Sequence, residues 1–136
     1  MLHESYWPAD RSQPVLETHP TEMLRAAAGE VPDWVALINA DPDAPEAPTW
    51  TYGEVLETAA RVAQAQLRRC APGERVAIWA PNRPEWVLLR HGLSMAGLIM
   101  VTLNPAYRRH ELGYVLRQSR CAGVFFSDEH RGGENI

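Results

Sequence analysis

The sequence predicts an α/β fold: part of a parallel sheet with helices flanking it. Three observations lead there. From Thr51 onward, helical and strand periodicities alternate. The loops between them are short and carry Pro-Gly, Asn-Arg-Pro or Asn-Pro. Leu98–Leu103 is a near-continuous apolar run, the mark of a strand covered on both faces.

The elements follow in chain order. Residues 1–48 form a lead-in with a short helix and a strand. Met1–Pro20 carries three prolines and no periodicity, so it reads as extended. Thr21–Gly29 reads as a helix with Met23, Leu24 and Ala27 on one face and Gly29 as its stop. Asp33–Asn39 contains the strand-forming Trp34-Val35-Ala36-Leu37-Ile38. Asp41–Pro48 has three prolines in eight residues and is a loop. Thr49–Tyr52 is β-prone and can pair with the preceding strand as a hairpin.

Residues 49–127 hold the alternating unit. Thr51 and Glu54 have capping-box spacing, in which each residue satisfies a free N–H of the first turn. Val55, Ala59, Val62, Ala63 and Leu67 then share an apolar stripe. That helix ends near Arg69, before Pro72-Gly73, and Arg75–Ala80 is a strand. Asn82 and Glu85 repeat the capping spacing, with Pro84 in the first turn. Trp86, Leu89, Leu93 and Ala96 form the inward face, and Gly97 suits a left-handed stop. After Leu98–Leu103, Asn104-Pro105 breaks the strand. Arg108–Ser119 is a helix with Leu112, Val115 and Leu116 inward, and Ala122–Ser127 is a strand. Residues 128–136 form a polar, glycine-containing tail without pattern, expected to be disordered. Short connections of this kind imply right-handed crossovers onto a parallel, Rossmann-like sheet.

Composition narrows the function classes. The net charge is -4 and arginines are spread along the chain, which argues against nucleic acid as a partner. No apolar run is long enough to span a bilayer. All 13 basic residues are Arg, so no lysine chemistry can come from this chain. Cys70 and Cys121 match no metal or redox spacing and read as small buried residues in a reducing compartment, the cytoplasm.

No phosphate-cradling glycine motif joins a strand to a helix, and Gly132-Gly133 stands in the tail. No G-x-S-x-G elbow is present; Ser94 falls within a helix, and Ser119 and Ser127 at element ends. His110-Glu111 is not a zinc motif, because Tyr114 stands where the second His would be. His91 falls mid-helix and reads as structural. Capping accounts for Glu54 and Glu85. Trp79, Asn82 and Trp86 follow a strand's C-terminal end, where open α/β sheets bind ligands. Asn104 and Tyr107 occupy the same edge after the next strand. Cap and core roles account for Trp79, Asn82 and Trp86, and turn chemistry accounts for Asn104-Pro105. No catalytic, cofactor-binding or metal residue is assigned.

Several stretches together resemble a known family. Gly73–Trp86 (GERVAIWAPNRPEW), Ala96-Gly97 through Leu103-Asn104-Pro105-Ala106-Tyr107, and Glu111–Leu116 resemble, in order and spacing, AMP-forming acyl-CoA synthetases. Thr49–Glu54 and Pro32-Asp33 with Ala36-Leu37 fit that family's opening. The resemblance runs from about Ser5 to Ser127 and is closest to the medium-chain fatty acid ligases. It implies the N-terminal part of the large domain of an adenylate-forming enzyme. Such enzymes use ATP and magnesium to turn a carboxylic acid into an acyl-adenylate, then pass the acyl group to CoA. The resemblance also implies that the family's phosphate loop, magnesium motif, ribose-binding Asp and catalytic Lys lie outside this sequence. The chain is therefore expected to be an inactive ligase fragment that binds no cofactor alone, with self-association through an exposed sheet edge. The alternative is a non-catalytic binding or assembly module that pairs with a separately encoded remainder.

Overall fold

The computed structural model describes residues 5, 7–12, 14–40 and 47–127. The segment read as a proline-rich loop lies mostly outside them, and the expected tail lies wholly outside. The order is α1 (Pro20–Glu30), β1 (Val35–Ile38), β2 (Thr49–Thr51), α2 (Tyr52–Leu67), β3 (Arg75–Trp79), α3 (Pro84–Met95), β4 (Ile99–Thr102), α4 (Arg109–Ser119) and β5 (Gly123–Phe126).

Helix α1 starts on Pro20, whose missing N–H costs nothing in the first turn. Its buried face is Thr21, Leu24 and Ala28. Met23, expected inside, is 61% exposed. Periodicity identified the stripe but rotated it by about one position. Thr21 is buried and polar, and its hydroxyl bonds Ser94 Oγ on α3 at 2.9 Å. That bond satisfies a group whose burial would otherwise be costly.

The expected hairpin forms. β1 and β2 pair antiparallel, with Val35 opposite Thr51 and Ile38 opposite Thr49. The hairpin leads into α2 through the capping box: Glu54 N–H donates to Thr51 Oγ1 at 3.2 Å, and Thr51 N–H donates to Glu54 Oε2 at 2.8 Å. Gly53 N–H also donates to Pro32 O at 2.9 Å. Val55, Ala59 and Ala63 form the buried stripe of α2. Leu67, expected on that stripe, ends the helix half-exposed.

β3, β4 and β5 make one parallel sheet in the order β4-β3-β5. Here the sequence reading is corrected. The apolar run Leu98–Leu103 was expected to be covered on both faces, yet Ile99 is 46% exposed, and among the described residues β4 lies at the edge of the sheet. β3 is central, and its Val76, Ala77 and Ile78 are at most 1% exposed. Strand order, which a local run does not encode, decides which strand is enclosed.

The start of α3 is also corrected. Asn82 does not cap it. The N-cap is Arg83, in extended conformation with no side-chain capping bond, and Pro84 fills the first turn. Proline supplies the preset helical φ, so the helix begins without the box. Its fully buried residues are Leu88, Gly92 and Leu93, while Trp86 and Leu89 pack half-buried against the core. Gly97 has φ +68°, the expected left-handed stop.

Helix α4 is anchored at its start by Arg108 N–H donating to Glu111 Oε2 at 2.9 Å. Arg108 itself cannot accept a bond, so only half of a box is present. Leu112, Val115 and Leu116 are only half-buried, and no residue of α4 is fully buried.

The core has two connected parts. One joins Ala63, Val76, Ile78, Leu93, Ala96 and Leu98. The other joins Leu24, Val55, Ala59 and Leu88. Full burial of Ile78, Leu93 or Val76 contributes about 1.5–3 kcal/mol each. The helices α2 and α3 meet closely at Gly92. A Cβ there would strike the Val62 side chain and lie 3.0 Å from Ala59 O.

Two stability outcomes follow from this packing. Gly92→Ala should destabilise the chain by about 1–3 kcal/mol despite alanine's better helix propensity, because the added methyl would strike Val62 Cβ as well as Cγ1 and no side-chain rotation moves Cβ. The urea midpoint should fall, and adding Val62→Ala should recover part of the loss. Thr51→Ala should cost about 1 kcal/mol while Thr51→Ser costs little, read from the thermal midpoint. Equal midpoints for the two Thr51 variants would show that the cap does not matter.

Candidate functional site

The C-terminal rim of the parallel sheet is the place where this fold class recruits ligands. Of the rim residues singled out in the sequence, the structure brings Trp79, Asn104 and Tyr107 into one hydrogen-bonded edge. Trp79 ends β3, and its indole Nε1–H donates to the Asn104 carbonyl at 3.1 Å. The Asn104 side-chain Oδ1 accepts from Ala106 N–H at 2.9 Å, and its carbonyl also accepts from Tyr107 N–H at 3.0 Å. Asn104 is thus a turn residue, as its Asn-Pro context indicates. The loop after β4 is fastened to the end of β3.

The third strand joins the same edge. Ser127 N–H donates to Trp79 O at 3.4 Å, and Arg83 Nη1 donates to Ser127 Oγ at 3.2 Å. Arg83 Nε also lies 3.5 Å from Glu85 Oε2. Glu85 therefore faces Arg83 and takes no part in the expected box with Asn82. Asn82 is exposed in the β3–α3 loop, and Trp86 is half-buried against the core. Sequence reasoning missed Arg83 and Ser127 as partners. They are 44 residues apart, and no local pattern links them.

The rim holds amides, indoles, one ion pair and a hydroxyl. Among the described residues no group of three or more His, Cys, Asp or Glu could hold a metal ion. Cys70 and Cys121 are free and half-buried, short of the full burial expected. Cys121 Sγ lies 3.1 Å from Ser119 Oγ. His110 is exposed at the start of α4. His91 differs: its Nδ1 is buried with no hydrogen-bond partner. Desolvation, with a smaller contribution from the neighbouring Arg90 charge, lowers its pKa from the ordinary value of 6.5.

Short parallel strands linked by helices, with a rim built from turn and packing contacts, define this chain as an α/β unit. A family model described as AMP-binding enzyme matches residues 24–135, and the chain belongs to that family. The match continues past Ser127, where the motif resemblance was read as ending. Over 123 residues the chain is 32% identical to the mitochondrial medium-chain acyl-CoA ligase ACSF2 of Danio rerio, covering 90% of this chain and 20% of that protein. Over 111 residues it is 32% identical to the putative acyl-CoA synthetase YngI of Bacillus subtilis, covering 81% of this chain and 20% of that protein. The N-terminal domain of FACL13 from Mycobacterium tuberculosis superposes with a TM-score of 0.70 at 27% identity, over 78% of this chain and 26% of that domain. The chain spans about a fifth of the length of the curated relatives it matches. No helix among the described residues is long and apolar enough to cross a membrane.

His91 makes the stability of the chain depend on pH. With its folded-state pKa below the unfolded value, the neutral ring is favoured in the native state. Its contribution is complete above about pH 6.5 and is lost as pH falls through the lower folded-state value. The thermal midpoint should therefore drop between pH 7.5 and pH 5, and His91→Gln should flatten that drop. An unchanged pH slope in the variant would remove His91 as the cause.

Proposed function

We propose that this chain forms the N-terminal scaffold of a ligase that activates a medium-chain fatty acid. In that reaction a carboxylate oxygen attacks the α-phosphorus of ATP and pyrophosphate leaves. The CoA thiol then attacks the acyl carbon and AMP leaves. The observation that carries the reading is family membership over residues 24–135 combined with a span of one fifth of the ligases it resembles. The medium-chain choice rests on the Danio rerio relative. Two free, half-buried cysteines fit a reducing compartment, and we place the protein in the cytoplasm.

The 136 residues do not catalyse this reaction alone. The sequence has no lysine and no glycine-rich loop between a strand and a helix. These residues therefore do not fit a triphosphate with its magnesium ion, and no step of the reaction is assigned to them. Their contribution is to hold the sheet rim, where Trp79, Asn104 and Ser127 fix three strand ends relative to one another. A second reading, a non-catalytic assembly module pairing with a separately encoded remainder, is supported by the edges of the three-stranded sheet, which have no strand partner among the described residues.

The purified chain should show no ATP–pyrophosphate exchange with octanoate. Exchange should appear when it is co-expressed with a polypeptide supplying the rest of the ligase. Exchange by the chain alone, or ATP binding by the chain alone in calorimetry, would overturn the inactivity. A co-expressed pair that is stably bound yet silent with every carboxylate tried would favour the assembly module.

A further inference from the structure

We infer that the end of the α/β layer opposite the rim docks on an anionic phospholipid bilayer through Arg68, Arg69, Arg75 and Arg120. The ligase reading plays no part in this.

A small net charge conceals an uneven distribution. Residues 1–57 hold two arginines against eleven acidic residues, whereas residues 58–127 hold ten against three. Such asymmetry between parts of a chain points to an anionic partner for the basic part. The arginines are dispersed in sequence, and the topology gathers them. In a parallel layer the strand starts and the ends of the connecting helices lie together. Arg68 is the C-cap of α2, and Arg69 follows it. Arg75 opens β3, and Arg120 closes α4. Ala122 N–H donates to Arg75 O at 2.8 Å, which fastens the end of α4 beside the start of β3. All four arginines are exposed, and among the described residues none of them takes part in an ion pair. Glu74 stands beside them, with its Oε2 accepting from Ala71 N–H at 2.7 Å. Glu22 lies on the α1 side, where its Oε1 is 3.3 Å from His19 Nε2.

Helix ends alone do not explain this cluster. A helix C-terminus favours a cation, which accounts for Arg68. It does not account for Arg75, which is on a strand. Arg120 has φ 52° and ψ 48°, the left-handed region in which helices usually end on Gly or Asn. Among the described residues it is the one non-glycine with positive φ. An arginine there retains its side chain at a cost in stability that glycine would not carry.

The partner's chemistry follows from what lies among the charges. Leu67, the last residue of α2, is 49% exposed, and Ile99, opposite Arg75 at the start of β4, is 46% exposed. Guanidinium groups pair with phosphate, and apolar side chains beside them enter the boundary between headgroups and acyl chains. Nucleic acid backbone or an acidic protein segment would use the first and leave the second exposed. The contact is peripheral, because no described helix is long and apolar enough to cross a membrane.

The test is co-sedimentation of the 136-residue chain with phosphatidylcholine vesicles, with and without phosphatidylglycerol. Binding is expected only with the anionic lipid and should weaken as salt rises. Each arginine near such a surface is worth about fivefold in affinity, so Arg75→Gln should weaken binding about fivefold and Arg68→Gln with Arg69→Gln about 25-fold. Arg120→Gly is the discriminating variant. It should weaken binding about fivefold while the thermal midpoint holds or rises, so that the loss cannot come from unfolding. Arg61→Gln, whose side chain faces Glu57 within α2, should leave binding unchanged. A folded chain that ignores anionic vesicles overturns the inference, as does binding indifferent to both Arg120→Gly and the Arg68, Arg69 pair. Polyglutamate or duplex DNA displacing the chain from vesicles and binding it more tightly would overturn the lipid assignment in favour of an acidic protein or nucleic acid. ATP–pyrophosphate exchange does not enter the measurement, so its result and that of the ligase reading are separate.

Discussion

At Gly92 the backbone of α3 runs directly against Ala59 and Val62 of α2, closer than any side chain would permit. Much of the structure depends on that approach. It lowers one side of α3 toward the sheet, where Leu93 and Ala96 meet Val76 and Ile78. It sets the other side against α1 and α2, where Leu88 meets Leu24, Val55 and Ala59. Met95 packs against both groups, so the two parts of the core are joined through α3. Interiors packed to crystal-like density do not absorb an added methyl group at such a point without displacement. The buried Thr21–Ser94 bond lies in the same helical layer and helps to fix how α1 sits on α3.

Below that layer the sheet is short, with strands of four or five residues, so its rim is fixed by a few specific bonds. The indole of Trp79 holds the turn after β4, and the carbonyl of the same residue takes the amide after β5. One residue therefore ties all three strand ends. Net hydrogen-bond contributions are about 1 kcal/mol each, so these bonds govern geometry more than total stability.

Local chemistry was legible in the sequence, and long-range placement was not. The Thr51–Glu54 box, the Gly97 stop and the hairpin each depend on residues close in the chain, and all three are found. Asn82 failed as a cap because Pro84 sets the helix start one residue later, and a spacing rule cannot weigh one signal against the other. Met23 and Leu67 were misplaced because a helical stripe of three or four apolar residues leaves its rotation uncertain by a position. The central role of β3 was invisible because enclosure depends on strand order, and RVAIW is no more apolar than the run that became the edge. For the site, the ordered motifs carried the family. Nothing in the sequence linked Trp79 to Asn104 or Arg83 to Ser127, since those bonds exist only after the crossovers are made.

The partly covered face of the sheet, where Ala77 is buried but Ile99, Val124 and Phe126 are not, bears on whether the chain can be a stable unit by itself. Burying a side chain such as Phe, Ile or Val contributes about 1.5–3 kcal/mol when it is complete. Ile99, Val124 and Phe126 each retain a large part of that contribution unrealised. Their sum is about 2–4 kcal/mol, a fraction of the roughly 5–15 kcal/mol that separates folded from unfolded states in ordinary domains. Covering this face would therefore change both the affinity of the contact and the stability of the chain that makes it, because a partner that binds only the folded state shifts the folding equilibrium by mass action. The packed α2–α3 layer is satisfied within the chain, whereas the second face of its sheet is covered at Ala77 and left open at Ile99, Val124 and Phe126. Folding of the first and assembly through the second are thus energetically linked, with β3, which contributes to both faces, as the element they share.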